Sequence, residues 1–193
     1  MAKMIPVHVW ANPDCFGVHD LPRRLRMLDM PASLRLNPYY VCQENDLEKF
    51  HNPLIHISYS RLNNRVLAQI NKTILEEESG VHILILTRQD VRATKEEWLE
   101  RALHQMCANA RFRTKTRIIL VNLVKHRVDN IVALKQVMEQ AAKKSNEILT
   151  LVDAAPLMRN RELDLTGLTE AGERFLIEIL VQALQDIPFH AFS

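Results

Sequence analysis

The sequence predicts an α/β fold, a three-layer sandwich built on a five-stranded, mostly parallel sheet. Three observations carry that expectation. Short apolar runs rich in β-branched residues recur along the chain, and they are nearly continuous in hydrophobicity, as strands covered on both faces must be. Between them lie segments whose apolar residues repeat every three to four positions, which puts one apolar stripe on each helix. Strands that alternate with helices imply right-handed crossovers, so the strands run parallel and the helices cover the sheet.

The elements follow in order. VHVW (7–10) is the first predicted strand. Pro22, Pro31 and Pro38 interrupt any long helix in the stretch 13–50, which therefore reads as short helices and loops. LIHIS (54–58) is the second strand, and Leu62, Val66, Ile70 and Ile74 mark the inner stripe of the helix after it. VHILIL (81–86) is the third. TKEE (94–97) then fits a capping box, with the Thr94 oxygen and the Glu97 carboxylate satisfying free amides of a first turn. That helix continues through Leu99, Leu103, Met106 and Cys107. RIILVNLV (117–124) is the fourth strand and ILTLV (148–152) the fifth, with Ile131, Leu134, Met138 and Ala141 on the helix between them. Phe175, Leu176, Ile179, Leu180, Ala183 and Leu184 line the last helix. No repeat or interdomain linker breaks this order, so residues 1–193 read as one domain, expected to be part of a longer protein.

Composition narrows the class. The 193 residues are 47% hydrophobic and 25% charged, as in an ordinary globular domain. The apolar start MIPVHVWA is too short for a signal segment, and no stretch approaches the ~20 apolar residues of a membrane span, which leads to the expectation of a cytoplasmic protein with no membrane partner. Cys15, Cys42 and Cys107 are widely spaced and form no CxxC, so reduced thiols are expected and no metal or other cofactor. The net charge of +2 conceals a segregation: 101–128 carries seven Arg or Lys and no acid, while 153–186 carries seven acids against three arginines.

In a sheet of this kind the loops after the carboxyl ends of the strands line the functional crevice. Three blocks there resemble the SGNH or GDSL-type hydrolases. ILILTRQDVRATKEEWLERAL (83–103) is similar to that family's strand, Gly-x-Asn-Asp block and following helix. TRIILVNLV (116–124) is similar to its next strand, and ILTLVDAAPLMRNRELDLTGLTEAGERFLIEIL (148–180) to its last strand, Asp-x-x-His block and closing helix. The resemblance covers roughly residues 5–186 and implies a flavodoxin-like strand order. It also implies a serine nucleophile, Gly and Asn oxyanion donors and an aspartate-held histidine base. Position by position these groups are gone: Ala11, Asn12 and Pro13 stand where Gly-Asp-Ser would, no glycine occupies Ser60 or Arg61, and Thr87 and Gln89 replace Gly and Asn. Asp90 and Asp164 remain, but Gly167 takes the histidine position. A pseudo-hydrolase with no catalytic residues and no small-molecule substrate is expected.

Cations stand at the same strand ends: Arg23, Arg24, Arg26 and Arg35 after the first strand; Arg61 and Arg65 after the second; Arg88 and Arg92 after the third; Lys125, His126 and Arg127 after the fourth; Arg159 and Arg161 after the fifth. Their convergence on one edge would attract phosphates, with Arg suited to bidentate contacts. NPDCFGVHDLPRRL (12–25) and DIPFHAFS (186–193) further resemble the OSK domains, which are SGNH-like, non-catalytic and bind messenger RNA. That resemblance implies an mRNA ligand, contacts to 3′ untranslated regions, protein partners in germ granules and a place in cytoplasmic germ-plasm granules.

Other residues read more plainly. His56 and His82 are expected to be satisfied core histidines, Glu76 to Glu78 a solvated helix end, and Tyr39, Tyr40 and Phe16 packing under a loop. RFRTKTR (111–117) belongs at the opposite, amino-terminal edge, as a solvated turn in preference to a second nucleic-acid patch. Two rival functions stand beside RNA binding. One is an esterase with a displaced nucleophile, Ser58, Ser60 or Cys15, served by His19 or His126; the other is a protein-interaction platform whose arginines are incidental.

Overall fold

The computed structural model describes residues 5–11, 54–57, 62–92, 94–113, 115–124, 130–157, 163–164 and 167–187. The strands of the main sheet are β1 (Val7–Ala11), β2 (Leu54–Ile57), β3 (Ser79–Leu86), β4 (Lys115–Asn122) and β5 (Leu149–Asp153). All of its pairings are parallel, in the spatial order β2-β1-β3-β4-β5. The connections carry α1 (Asn64–Glu76), the short α2 (Arg88–Arg92), α3 (Glu96–Phe112) and α4 (Ile131–Lys144). A two-stranded hairpin, β6 (Leu163–Asp164) with β7 (Gly167–Leu168), leads into α5 (Glu170–Gln185).

The period of two along each strand decides what each face buries. Val7 and Val9 of β1, Val81, Ile83 and Ile85 of β3, and Ile119 and Val121 of β4 form one apolar face against Leu176, Leu180 and Leu184 of α5. Trp10, Leu84, Leu86, Ile118 and Leu120 point the other way, against Ile70 and Ile74 of α1, Leu99, Leu103 and Met106 of α3, and Leu134 and Met138 of α4. Burying one such side chain is worth about 1.5–3 kcal/mol, so two continuous cores on a single sheet outweigh any weak propensity along the chain. Strand β5 alternates less and leaves Thr150 exposed, as an edge strand does.

Two local expectations are corrected. Thr94 and Glu97 do not form a capping box. The helix α3 starts one residue later, with Lys95 and not Thr94 as N-cap and no side-chain capping bond, and the Thr94 hydroxyl donates back to the carbonyl of Asp90. The acidic run 76–78 is only partly solvated, because Glu77 turns inward to His8.

The DLTGL stretch has a structural role. Asp164 pairs with Gly167 across the hairpin, and Thr169 caps α5 by accepting the Gly172 amide at 3.2 Å. An oxygen acceptor at the N-cap is worth about 1 kcal/mol to the helix it starts.

Candidate nucleic-acid interface

The sheet order reverses between β1 and β3: the chain passes from β1 outward to β2, then crosses back to β3 and continues the other way. A crevice opens at the carboxyl ends of such a pair, where ligands of doubly wound sheets bind. Two residues past the end of β3 stands Arg88, the first residue of α2. It is half-buried, and its Nε is enclosed with no hydrogen-bond acceptor among the described residues. An enclosed guanidinium N–H without an acceptor is costly, and a ligand oxygen would relieve it.

The neighbouring polar groups are, by contrast, committed to one another. Asp90 is 3% exposed, and its carboxylate accepts from the Leu62 amide at 2.9 Å and from the Thr87 amide and hydroxyl, both at 3.0 Å. It ties the loop that follows β2 to the loop that follows β3. Asn122, at the end of β4, donates to Asp153 at 3.0 Å and accepts from the Val124 amide at 3.1 Å. Asp153 also receives Lys135 at 2.6 Å, a hydrogen bond and charge pair that raise the lysine's pKa. Asn130 donates to the Thr94 carbonyl at 3.0 Å. Both donors of Thr87 serve Asp90.

Of the cations predicted for this edge, three fall in described segments. Arg65 is exposed in the first turn of α1, beyond the Asn63 side chain that accepts the Arg65 and Val66 amides. Arg88 is described above. Arg92 ends α2, and its side chain lies outside the described residues. Arg23, Arg24, Arg26, Arg35, Arg61, Lys125, His126, Arg127, Arg159 and Arg161 also lie outside them. So do Asn12, Pro13, Cys15, Phe16, His19, Tyr39, Tyr40, Ser58 and Ser60, and the side chain of His56.

A cluster that the sequence reading passed over lies toward the amino end of the sheet. His8 and His82 are register partners on β1 and β3. Their rings stack at 4.9 Å with planes 11° apart, about the spacing of the strands that carry them. Glu77, between α1 and β3, meets His8 Nε2 at 2.7 Å and lies 3.9 Å from His82 Nε2. The signal available in the sequence was His8 and Trp10, two apart on one strand and so on one face, beside a second histidine on a neighbouring strand.

Two histidines and a glutamate with ligand atoms within 4.8 Å of one another have the composition of a metal centre. Their orientation is that of a hydrogen-bonded cluster. Nearly parallel rings send their in-plane lone pairs side by side, whereas an ion held at about 2.0–2.1 Å needs them to converge. The Trp10 indole N–H, which can only donate, lies 3.3 Å from His82 Nδ1. Nδ1 of His82 is therefore an acceptor, and its Nε2 faces Glu77 Oε2 at 3.9 Å, beyond hydrogen-bond reach. Gly80 keeps this arrangement open, since a Cβ there would sit 2.8 Å from Glu77 Oε2.

A groove of about 290 Å³ separates α3 from α4, with Leu103, Cys107 and Ala141 on its floor and His104 and Lys144 among its walls. Burial pushes the Cys107 thiol up, which makes it a poor nucleophile at neutral pH. No helix of the described residues is long and apolar enough to cross a membrane. No protein-family model, curated protein or solved structure matches this chain.

Proposed function

We propose that the chain is a non-catalytic RNA-binding domain of SGNH-like, OSK type, akin to the C-terminal domain of the germ-plasm organiser Oskar. In this reading it engages messenger RNA, such as maternal nanos transcripts and their 3′ untranslated regions, within cytoplasmic germ granules. Arginines at the carboxyl edge, Arg65 and Arg88 among them, contact phosphates and bases.

The observation that carries the reading is Arg88. A guanidinium donor without an acceptor stands at the crevice where the strand order reverses, while the polar groups around it are engaged in holding loops. An anionic, multivalent ligand suits a surface whose free groups are arginines, and RNA supplies both phosphates and planar bases. The resemblance to OSK domains supports the identity of that ligand. The committed state of Thr87 and Asp90 supports the loss of hydrolysis.

The test is a titration of labelled single-stranded RNA at two salt concentrations, comparing wild type with Arg65→Glu, Arg88→Glu and a set changing Arg24, Arg61, Arg127 and Arg161 to Glu. Binding that weakens with salt and is lost in the folded variants is expected. RNA binding indifferent to all of these changes, or turnover of a short-chain nitrophenyl ester abolished by changing Ser58, Ser60 or Cys15, contradicts the reading.

A further inference from the structure

We infer that the amino-terminal edge of the sheet carries a second contact for single-stranded nucleic acid, in which Phe112 stacks on an unpaired base and the surrounding cations hold the flanking phosphates. This shares its ligand class with the proposed function and uses different residues.

Phe112 closes α3 with 76% of its surface exposed, the most open large hydrophobic side chain among the described residues. Arg113 flanks it on one side. Arg113 follows as the C-cap, its amide donating to the Asn109 carbonyl, and its guanidinium carbon lies 5.7 Å from the phenyl centroid. The same guanidinium donates to the Leu75 carbonyl at the end of α1, which ties the ring's neighbour to a second helix. An exposed aromatic ring with a cation beside it has the make-up of a stacking platform.

Charge surrounds the ring. The stretch 111–117 holds Arg111, Arg113, Lys115 and Arg117 with no acid among them. Lys143 and Lys144 end α4 nearby, since Arg111 reaches Ser145 and Glu147 just beyond that helix. The local acids are largely engaged: Glu147 pairs with Arg111 at 3.2 Å, Glu76 with Lys72 at 3.7 Å, and Glu77 faces His8. Cations remain in excess, and Lys115 is exposed.

A protein-binding patch would show contiguous apolar surface. Among the described residues the exposed large hydrophobics are Leu75, Phe112 and Val132, and Phe112 is the only aromatic one; a ring amid cations is the combination that binds single strands. The run that reads from sequence as a solvated turn is thus assigned a ligand.

The test uses the full chain and a fluorescent oligouridine of about ten nucleotides. Phe112→Ala should weaken binding about tenfold, the size of one lost base–aromatic stack, and Phe112→Trp should restore it. Lys115→Glu should reduce the salt slope by about 0.7, one phosphate contact on a single strand. Ultraviolet crosslinks to the peptide containing Phe112 should vanish in Phe112→Ala. Because the ring is so exposed, none of these changes should alter the unfolding midpoint. Wild-type affinity in Phe112→Ala and Lys115→Glu, with loss only in Arg65→Glu and Arg88→Glu, overturns this inference and leaves the proposed function standing; the reverse pattern upholds it and moves the interface away from the carboxyl edge. No binding by the wild type sinks both. A protein ligand that survives high salt, needs Phe112 and leaves RNA binding unchanged replaces it.

Discussion

The two edges of the sheet handle their polar groups in opposite ways. At the carboxyl edge, Asp90 is bonded to Thr87 and the Leu62 amide and Asn122 to Asp153, while the Arg88 Nε has no acceptor among the described residues. At the amino edge the histidines and Glu77 are drawn into the interior, while Phe112 and several lysines and arginines stay outside. The difference teaches that the polar groups at a strand-end crevice can be spent on holding loops, while exposed aromatic and cationic groups gather at the opposite edge.

Breaking the carboxyl-edge network should have the largest effect. Asp90→Ala leaves the two buried Thr87 donors and the part-buried Leu62 amide without their acceptor, so urea unfolding should show a loss of about 2–4 kcal/mol, given ~1–3 kcal/mol per stranded buried group. A loss below about 1 kcal/mol would mean that water reaches the network.

The amino-edge cluster is next. Glu77→Gln removes the carboxylate bonded to His8 and should cost about 1.5–3 kcal/mol, as for hydrogen bonds to charged groups. Gly80→Ala should cost about 1–2 kcal/mol, because its methyl group forces the Glu77 carboxylate away from His8. If Gly80→Ala is neutral, Glu77 is not held where these contacts place it.

Smaller effects sharpen the contrast between buried and exposed charge. The Lys135 pKa is raised by Asp153, so this pair's contribution is fully present below the lysine's unfolded pKa and is lost as pH rises through the folded one. Half-exposed as it is, the pair should contribute no more than about 0.5 kcal/mol, read as the difference between wild type and Lys135→Met in thermal unfolding at neutral and strongly alkaline pH. The Cys107 thiol, raised by burial, should react with iodoacetamide at pH 8 far more slowly than a free thiol.

Much of the fold was legible because burial imposes periodicity. The strand runs 7–10, 81–86, 117–124 and 148–152 fall on β1, β3, β4 and β5, and the stripe Leu99, Leu103, Met106 and Cys107 is the buried face of α3. Ends were less legible, because caps depend on local geometry: Thr94 bonds back to the Asp90 carbonyl, and the cap position of α3 falls to Lys95. The His8–Glu77–His82 cluster escaped notice because its partners are 69 and 5 residues apart, and only strand register brings them together. Arg88 was readable as a cation at a strand end, but an enclosed Nε with no acceptor among the described residues is a property of three-dimensional packing.

The most direct test of the central claim is ultraviolet crosslinking of the full chain to single-stranded RNA, followed by mapping of the crosslinked peptides. The account predicts adducts on the segment containing Arg88 and on 111–117, both suppressed by high salt and the first lost in Arg88→Glu. Crosslinks confined to the α3–α4 groove, or none under conditions where a control RNA-binding protein reacts, would contradict it.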